Sequence, residues 1–236
     1  MAAFAVGLIA IAVAFAVAGA SSVLAPFGIG LALFVMAGAL TDLEERTGLL
    51  RSPIATVRSR AAGLPRSTWG TAVAHFGIAM TLFGVVCQTW ATERIVALKT
   101  GETVTLSGYE LSFDGMVQHT GANFRELAAK FTVRVGGAAV AVMEPSKRSF
   151  SSREMTTTEA ALMTRGVSQL YLSLGDTNAD GSIAIRLYYK PKVLLIWLGA
   201  VVMMLGGGMS LSDRRLRIGA PKPAAKSAAP TLQPAE

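Results

Sequence analysis

The sequence is short of charge and of cysteine. Only 16% of its 236 residues are Asp, Glu, Lys or Arg, against the roughly one quarter of an average soluble domain. The apolar residues gather in a few long runs, and the mean hydropathy is +0.48. That pattern excludes an ordinary soluble domain and points to a membrane protein. A single cysteine, Cys87, excludes an intrachain disulfide and a multi-cysteine zinc site. No Cys-x-x-Cys-His segment occurs, so the chain is not itself a c-type cytochrome. Residues 2–20 lack the positive n-region of a signal peptide, and a second apolar run follows at once, so a retained helix is expected. The apolar runs also lack carboxylates, which removes the coupling-ion sites of a transporter.

Four runs are long enough to span a bilayer: residues 2–20, 22–40, 71–90 and 193–211. Ser21 and Ser22 leave space only for a tight turn between the first two, and Pro26 falls in the first turn of the second, where its missing N–H costs little. Trp69 and Trp90 bracket the third, as tryptophans do at the two membrane–water interfaces. Lys190 and Lys192 can snorkel at one end of the fourth, with Arg214, Arg215 and Arg217 as an anchor at the other.

The formal net charge is +7. The basic residues flank apolar segments or mix with acids, and no Lys/Arg run interleaves with aromatics, so no nucleic-acid partner is expected. Part of the excess reads as topology instead. The 41–70 segment carries Arg46, Arg51, Arg58, Arg60 and Arg66, and the tail carries Arg214, Arg215, Arg217, Lys222 and Lys226. Both are expected in the cytoplasm. Four crossings then put both termini inside and residues 91–190 outside, in agreement with the charge bias.

Residues 91–190 change character. Alternating stretches at Thr103–Leu106, 130–135 and 182–188 read as strands. Gly101, Gly108, Gly115, Gly136-Gly137 and Asp180-Gly181 supply turns. Thr156-x-x-Glu159 is a capping-box pattern and predicts a short helix over 155–165. The expected fold is therefore membrane α-helical, with about four transmembrane helices and one β-rich extracytoplasmic domain between the third and fourth. In chain order it comprises two helices in 1–40, a cytoplasmic loop 41–70, a helix 71–90, the β-rich domain 91–190, a helix 191–212 and a disordered cytoplasmic tail 213–236.

His75 is the most informative position. It stands about one turn inside the third helix from its cytoplasmic end, where an ionisable residue is costly and marks a functional site. Three roles suit it: a hydrogen bond to a neighbouring helix, ligation of haem or another metal, and proton transfer. Ala72, Ala74, Gly77 and Ala79 around it let a second helix or a flat macrocycle approach closely. The only other histidine, His119, falls in the β-rich domain and reads as a surface or turn residue, so a second axial ligand would come from outside this chain. Cys87 reads as a small buried residue, since no basic cluster lowers its pKa for redox work. Lys147, Arg148, Arg153 and Arg165 form either a solvated basic face or a surface for a haem propionate or acidic partner.

A series of blocks in fixed order resembles the C-terminal region of the CcmF family of cytochrome c-type biogenesis proteins. They are Ala74-His75-Phe76-Gly77-Ile78-Ala79, Glu93-Arg94, Gly108-Tyr109 with Phe113-Asp114-Gly115, and Glu144-Pro145-Ser146-Lys147-Arg148. Thr157-Thr158-Glu159-Ala160-Ala161 and Leu170-Tyr171-Leu172-Ser173-Leu174-Gly175 follow. Arg186-Leu187-Tyr188-Tyr189-Lys190-Pro191, Ile196-Trp197-Leu198-Gly199 and Ser212-Asp213-Arg214-Arg215 complete the series.

The resemblance implies a multi-pass protein of the bacterial inner membrane, with 91–190 in the periplasm, that takes part in attaching haem to apocytochrome c. It implies an intramembrane haem b held between two helix histidines, the second of which His75 matches, making His75 a haem-iron axial ligand. The implied partners are apocytochrome c, a CcmE-like haem chaperone, CcmH/CcmI-like thiol-handling subunits, membrane lipid and the N-terminal part of CcmF. The family's tryptophan-rich motif, its outer histidines and its first membrane histidine are absent from this sequence. The chain is therefore expected to be a split subunit or a fragment of a haem lyase that is not active alone, with no acid, base or nucleophile of its own. The alternative is a non-catalytic membrane scaffold whose outer domain docks cytochrome c assembly partners.

Overall fold

The computed structural model describes residues 2–18, 24–150 and 155–213. The helices are α1 (Ala2–Ala18), α2 (Leu24–Thr47), α3 (Ile54–Gly63), α4 (Arg66–Cys87) and α5 (Leu194–Leu211). Among the described residues, α2, α5 and Arg66–Trp90, which is α4 with the 3-10 turn Gln88–Trp90, are long and apolar enough to cross a membrane; α1 is shorter. The Ser21-Ser22 turn, the Arg214–Arg215–Arg217 anchor, the tail and Arg153 lie outside the described residues.

Two helices reach beyond the expected apolar runs. The 41–70 segment, expected as a loop, is mostly helical: α2 continues through Asp42 to Thr47, α3 occupies its middle and α4 begins at Arg66. Its Arg, Glu, Leu and Ala are good helix formers whether or not lipid surrounds them. Pro53 and Pro65 stand immediately before α3 and α4 and start each helix.

Ten strands follow: β1 (Thr92–Leu98), β2 (Thr103–Leu106), β3 (Tyr109–Thr120), β4 (Phe124–Val135), β5 (Ala138–Met143), β6 (Ser146–Phe150), β7 (Met155–Glu159), β8 (Ala161–Arg165), β9 (Ser168–Thr177) and β10 (Ile183–Lys190). They form two antiparallel sheets, β1-β10-β9-β8 and β2-β3-β4-β6-β7, with β5 also paired to β4. Alternate residues of facing strands close the core: Leu111 and Phe113 of β3, Phe131 and Val133 of β4, Leu170 and Leu172 of β9, Ile185 and Leu187 of β10. Phe113 and Phe131 stack with ring centroids 5.0 Å apart.

Residues 155–165 correct an expectation. They are strands β7 and β8, not a helix. The capping-box pattern loses to three consecutive β-branched residues, Thr156–Thr158, which suit a pleated strand and lose rotamer freedom in a helix. Glu159 pairs across the sheet with Ser146 and reaches Arg148 at 4.0 Å instead of capping a helix N-terminus. Gly115 is also not in a turn. It marks a bulge inside β3, where the register with β4 slips between Phe113 and Gly115, and its φ of 140° is open only to glycine.

The sandwich grows directly out of a helix pair. Strand β1 continues α4, β10 leads into α5, and β1 and β10 are hydrogen-bonded neighbours. The Gln88 side-chain amide closes the junction by donating to the carbonyls of Gly84 (3.0 Å) and Pro191 (2.8 Å). The Lys190 ammonium lies over the rings of Tyr171 and Tyr188, at 5.2 and 5.8 Å from their centroids.

Candidate functional site

Helix α4 is held on two sides. One face meets α5 through glycines at seven-residue spacing: Gly70, Gly77 and Gly84 on α4, with Gly199 and Gly206 on α5. A Cβ placed on Gly77 would fall 2.6 Å from Met203 N and 2.7 Å from Gly199 O, so the two backbones come into direct contact here. Thr81 adds a hydrogen bond from its hydroxyl to Ile196 O at 3.2 Å. The start of α4 is tied to the end of α5, where the buried Asp213 carboxylate accepts the Ser67 backbone N–H at 3.0 Å. This partner lies 146 residues away, so no local capping pattern reveals it. The glycine spacing, in contrast, was visible in the sequence as a repeat on one helix face.

The other side of α4 packs on α2, and His75 opens into a cleft of about 420 Å³ between them. Gly38 and Ala39 of α2 and Ala72 of α4 give part of its wall little side-chain bulk, Phe34 and Val35 of α2 make another part apolar and bulky, and Asp42 and Arg46 stand at its α2 C-terminal end. His75 is exposed in this chain. Its Nδ1 lies 2.8 Å from the carbonyl oxygen of Thr71, one turn back in the same helix. A carbonyl only accepts, so Nδ1 carries the proton and donates, which leaves the Nε2 lone pair free. Among the described residues the ring bonds its own helix and no neighbouring one.

That donor suits one axial position of a porphyrin iron. An imidazole whose Nδ1–H is fixed by a backbone carbonyl would be oriented for metal ligation through Nε2, and the cleft it lines has both small and apolar walls. Its oxidation-state chemistry would be one-electron transfer. The chain brings no second histidine to this position: His119 is on β3 of the sandwich, opposite Glu126 of β4. Among the described residues no three His, Cys, Asp or Glu side chains group to hold a metal ion. Cys87 is buried at the last position of α4, as a small core residue would be.

Among the described residues, Lys147, Arg148 and Arg165 of the expected basic face do not share one side. Lys147 and Arg148 are adjacent on β6 and so point to opposite sides of the sheet. Lys147 pairs with Asp176 of β9 at 2.7 Å, while Arg148 lies 3.3 Å from Glu126 and over the Phe124 ring. Arg165 ends β8, in the other sheet. The Ser146 hydroxyl hydrogen-bonds the Glu126 carboxylate and, with Arg148 beyond it, holds that carboxyl below its ordinary range. Tyr188 donates to Glu93 at 2.7 Å, which raises the phenol's pKa and joins β10 to β1 near the helix junction.

The family profile described as "CcmF C-terminal beta-sandwich" matches residues 89–191, which span all ten strands. This chain belongs to the CcmF family, as a C-terminal part of it. The cytochrome c-type biogenesis protein CycK of Bradyrhizobium diazoefficiens is 55% identical over 98% of the chain. CycK of Rhizobium meliloti is 50% identical over 97%, and CcmF of Escherichia coli is 36% identical over 67%. The match covers 35%, 34% and 25% of these relatives, so the chain spans about a third or less of their length. A solved structure named cytochrome c haem lyase CcmF shares the fold at TM-score 0.67, with 20% identity over 88% of this chain and 34% of that one.

Proposed function

We propose that this chain supplies the C-terminal membrane helices and outer domain of a cytochrome c haem lyase, and that His75 is an axial ligand to a b-type haem inside the membrane. One observation carries the reading: the His75 imidazole, on an apolar helix and with Nδ1 2.8 Å from the Thr71 carbonyl of that helix, lines a cleft between α2 and α4 together with Phe34, Val35, Gly38, Ala39 and Ala72. The relatives' names, cytochrome c-type biogenesis protein and haem lyase, supply the reaction class. In this reading α1, α2, α4 and α5 all cross the inner membrane, the 41–70 segment and both termini are cytoplasmic, and the sandwich is periplasmic. The second axial ligand comes from outside this chain, within the N-terminal part of CcmF.

A b-type haem in this cleft would supply one-electron redox chemistry at membrane depth. The Thr71 carbonyl holds the Nδ1 proton and aims the ring. Gly38, Ala39 and Ala72 would leave room for the macrocycle, with Phe34 and Val35 as apolar walls. The α4–α5 backbone contact and the Gln88 bridge fix the height of His75 relative to the sandwich. In haem attachment the thiols of apocytochrome c add across the vinyl groups of the haem being attached. The reacting groups belong to the substrates, and the chain's part is to position them. A CcmE-like chaperone delivers that haem, and CcmH/CcmI-like subunits handle the thiols.

The test is optical spectroscopy of the chain co-purified with the N-terminal part of CcmF. A low-spin b-type spectrum is expected, and His75→Ala is expected to abolish it. An unchanged spectrum in His75→Ala refutes the assignment. A second reading, a scaffold that docks assembly partners, draws on edge strand β5, whose Val140 and Val142 are 45% and 54% exposed. It predicts partner capture by the wild-type assembly with no haem spectrum.

A further inference from the structure

The His75 cleft ends on a charged pair that the ligand assignment leaves unused. Arg46 and Asp42 lie one turn apart on α2, and both line the cleft with His75. The Arg46 Nε donates to both Asp42 oxygens, at 3.0 and 2.9 Å. Among the described residues neither Arg46 Nη nitrogen has a hydrogen-bond partner, and the side chain is half exposed. A guanidinium held by Nε presents its two Nη groups as a fork, which matches a carboxylate in bidentate fashion. Arg46 follows Ala39 by seven residues, about 10 Å along the helix, on the side where α2 becomes polar. A guanidinium at the cleft mouth, paired to Asp42 through Nε but with both Nη groups unbonded among the described residues, together with the His75 imidazole lining the same cleft, suits a flat, amphipathic ligand that carries carboxylates at one edge.

We infer that Arg46 binds a propionate carboxylate of the haem ligated by His75, with Asp42 as a positioning residue that orients the guanidinium. The inference rests on the His75 reading and adds the orientation: propionate edge toward the C-terminal end of α2, vinyl edge deeper. Arg46 makes no bond to iron, so its loss leaves ligation in place and alters how the carboxylate edge is recognised.

The experiment reconstitutes the assembly of this chain with the N-terminal part of CcmF, using haem b or its dimethyl ester, in wild type, Arg46→Gln and Arg46→Lys. Spin state is read optically and affinity by titration. Wild type is expected to prefer haem b over the ester by about tenfold or more, since the ester loses a charge-assisted hydrogen bond. Arg46→Gln keeps the low-spin spectrum and loses most of that preference. Arg46→Lys, with the charge but not the fork, falls between. An Arg46→Gln assembly that still discriminates as wild type does, with its low-spin spectrum intact, overturns the propionate assignment alone. A His75→Ala assembly, measured alongside, that takes up haem b with the wild-type low-spin spectrum overturns the ligand reading and this inference with it.

Discussion

Gly206 and Gly207 are neighbours in α5, yet the structure assigns them opposite responses to one added methyl group. A Cβ on Gly206 would sit 2.5 Å from Ala74 N and 2.7 Å from Gly70 O. These are backbone atoms and cannot rotate away. Reaching ordinary contact at 3.4 Å requires the helices to part by about 0.9 Å at this level (3.4 less 2.5). The opening weakens the neighbouring contacts at Gly77 and Gly84 and strains the Ser67–Asp213 tie at the same end. Overpacking of this kind costs about 1–3 kcal/mol. A Cβ on Gly207 meets nothing within 4 Å. Gly207→Ala therefore gains only the helix-propensity term, up to about 1 kcal/mol in its favour. In a detergent-solubilised assembly, thermal unfolding or titration with a denaturing detergent should place Gly206→Ala below wild type by several degrees and Gly207→Ala at or above it. The pair shares composition, helix and depth, so any generic effect of Gly→Ala cancels. Equal shifts for the two variants, or a Gly206→Ala protein as stable as Gly207→Ala, would refute the direct backbone contact between α4 and α5.

The remaining predictions concern the cap and the sandwich. Asp213→Ala should cost about 0.5–2 kcal/mol, the usual loss of a helix-capping carboxylate, and should speed amide exchange in the first turn of α4 around Ser67. Asp180 accepts the Ser182 hydroxyl at 2.6 Å and the Ser182 backbone N–H at 3.1 Å, with Lys99 nearby, and its pKa falls from 3.8 to about 2. A carboxyl depressed in the folded state stabilises it fully above pH 3.8, and that contribution fades as the pH falls through about 2. Acid unfolding should thus show wild type ahead of Asp180→Asn at neutral pH, with the difference closing over that window. A carboxyl resonance of Asp180 titrating near 3.8 would contradict it.

Local order was readable wherever one period dominated. The alternation that buries Leu170, Leu172 and Leu174 of β9 on one face is a property of consecutive residues, and β2 occupies the stretch the pattern predicts. Residues 155–165 were misread because the capping-box spacing and the threonine run gave opposing local signals. The cross-strand partners on β6 and β9 decided between them. At the site, the sequence marked His75 by its place in an apolar run. It left three roles open, a bond to a neighbouring helix, ligation or proton transfer, and did not foresee the bond to Thr71 of the same helix, because a ring N–H on an apolar helix can find its acceptor in either helix.

By itself the sequence determined the apolar-helix character of this chain, the order of helices around a β-rich insertion, and the separation of His75, on an apolar helix, from His119, the other histidine of the sequence. These follow from composition and from periods of two and 3.6 residues, which neighbours along the chain impose on each other. Only the tertiary structure decided that glycines of α4 and α5 meet backbone to backbone, that Asp213 caps a helix 146 residues away, and that His75 shares a cleft with Arg46. Those contacts join residues far apart in the chain, and they exist only once the helices have packed and closed the distance between them.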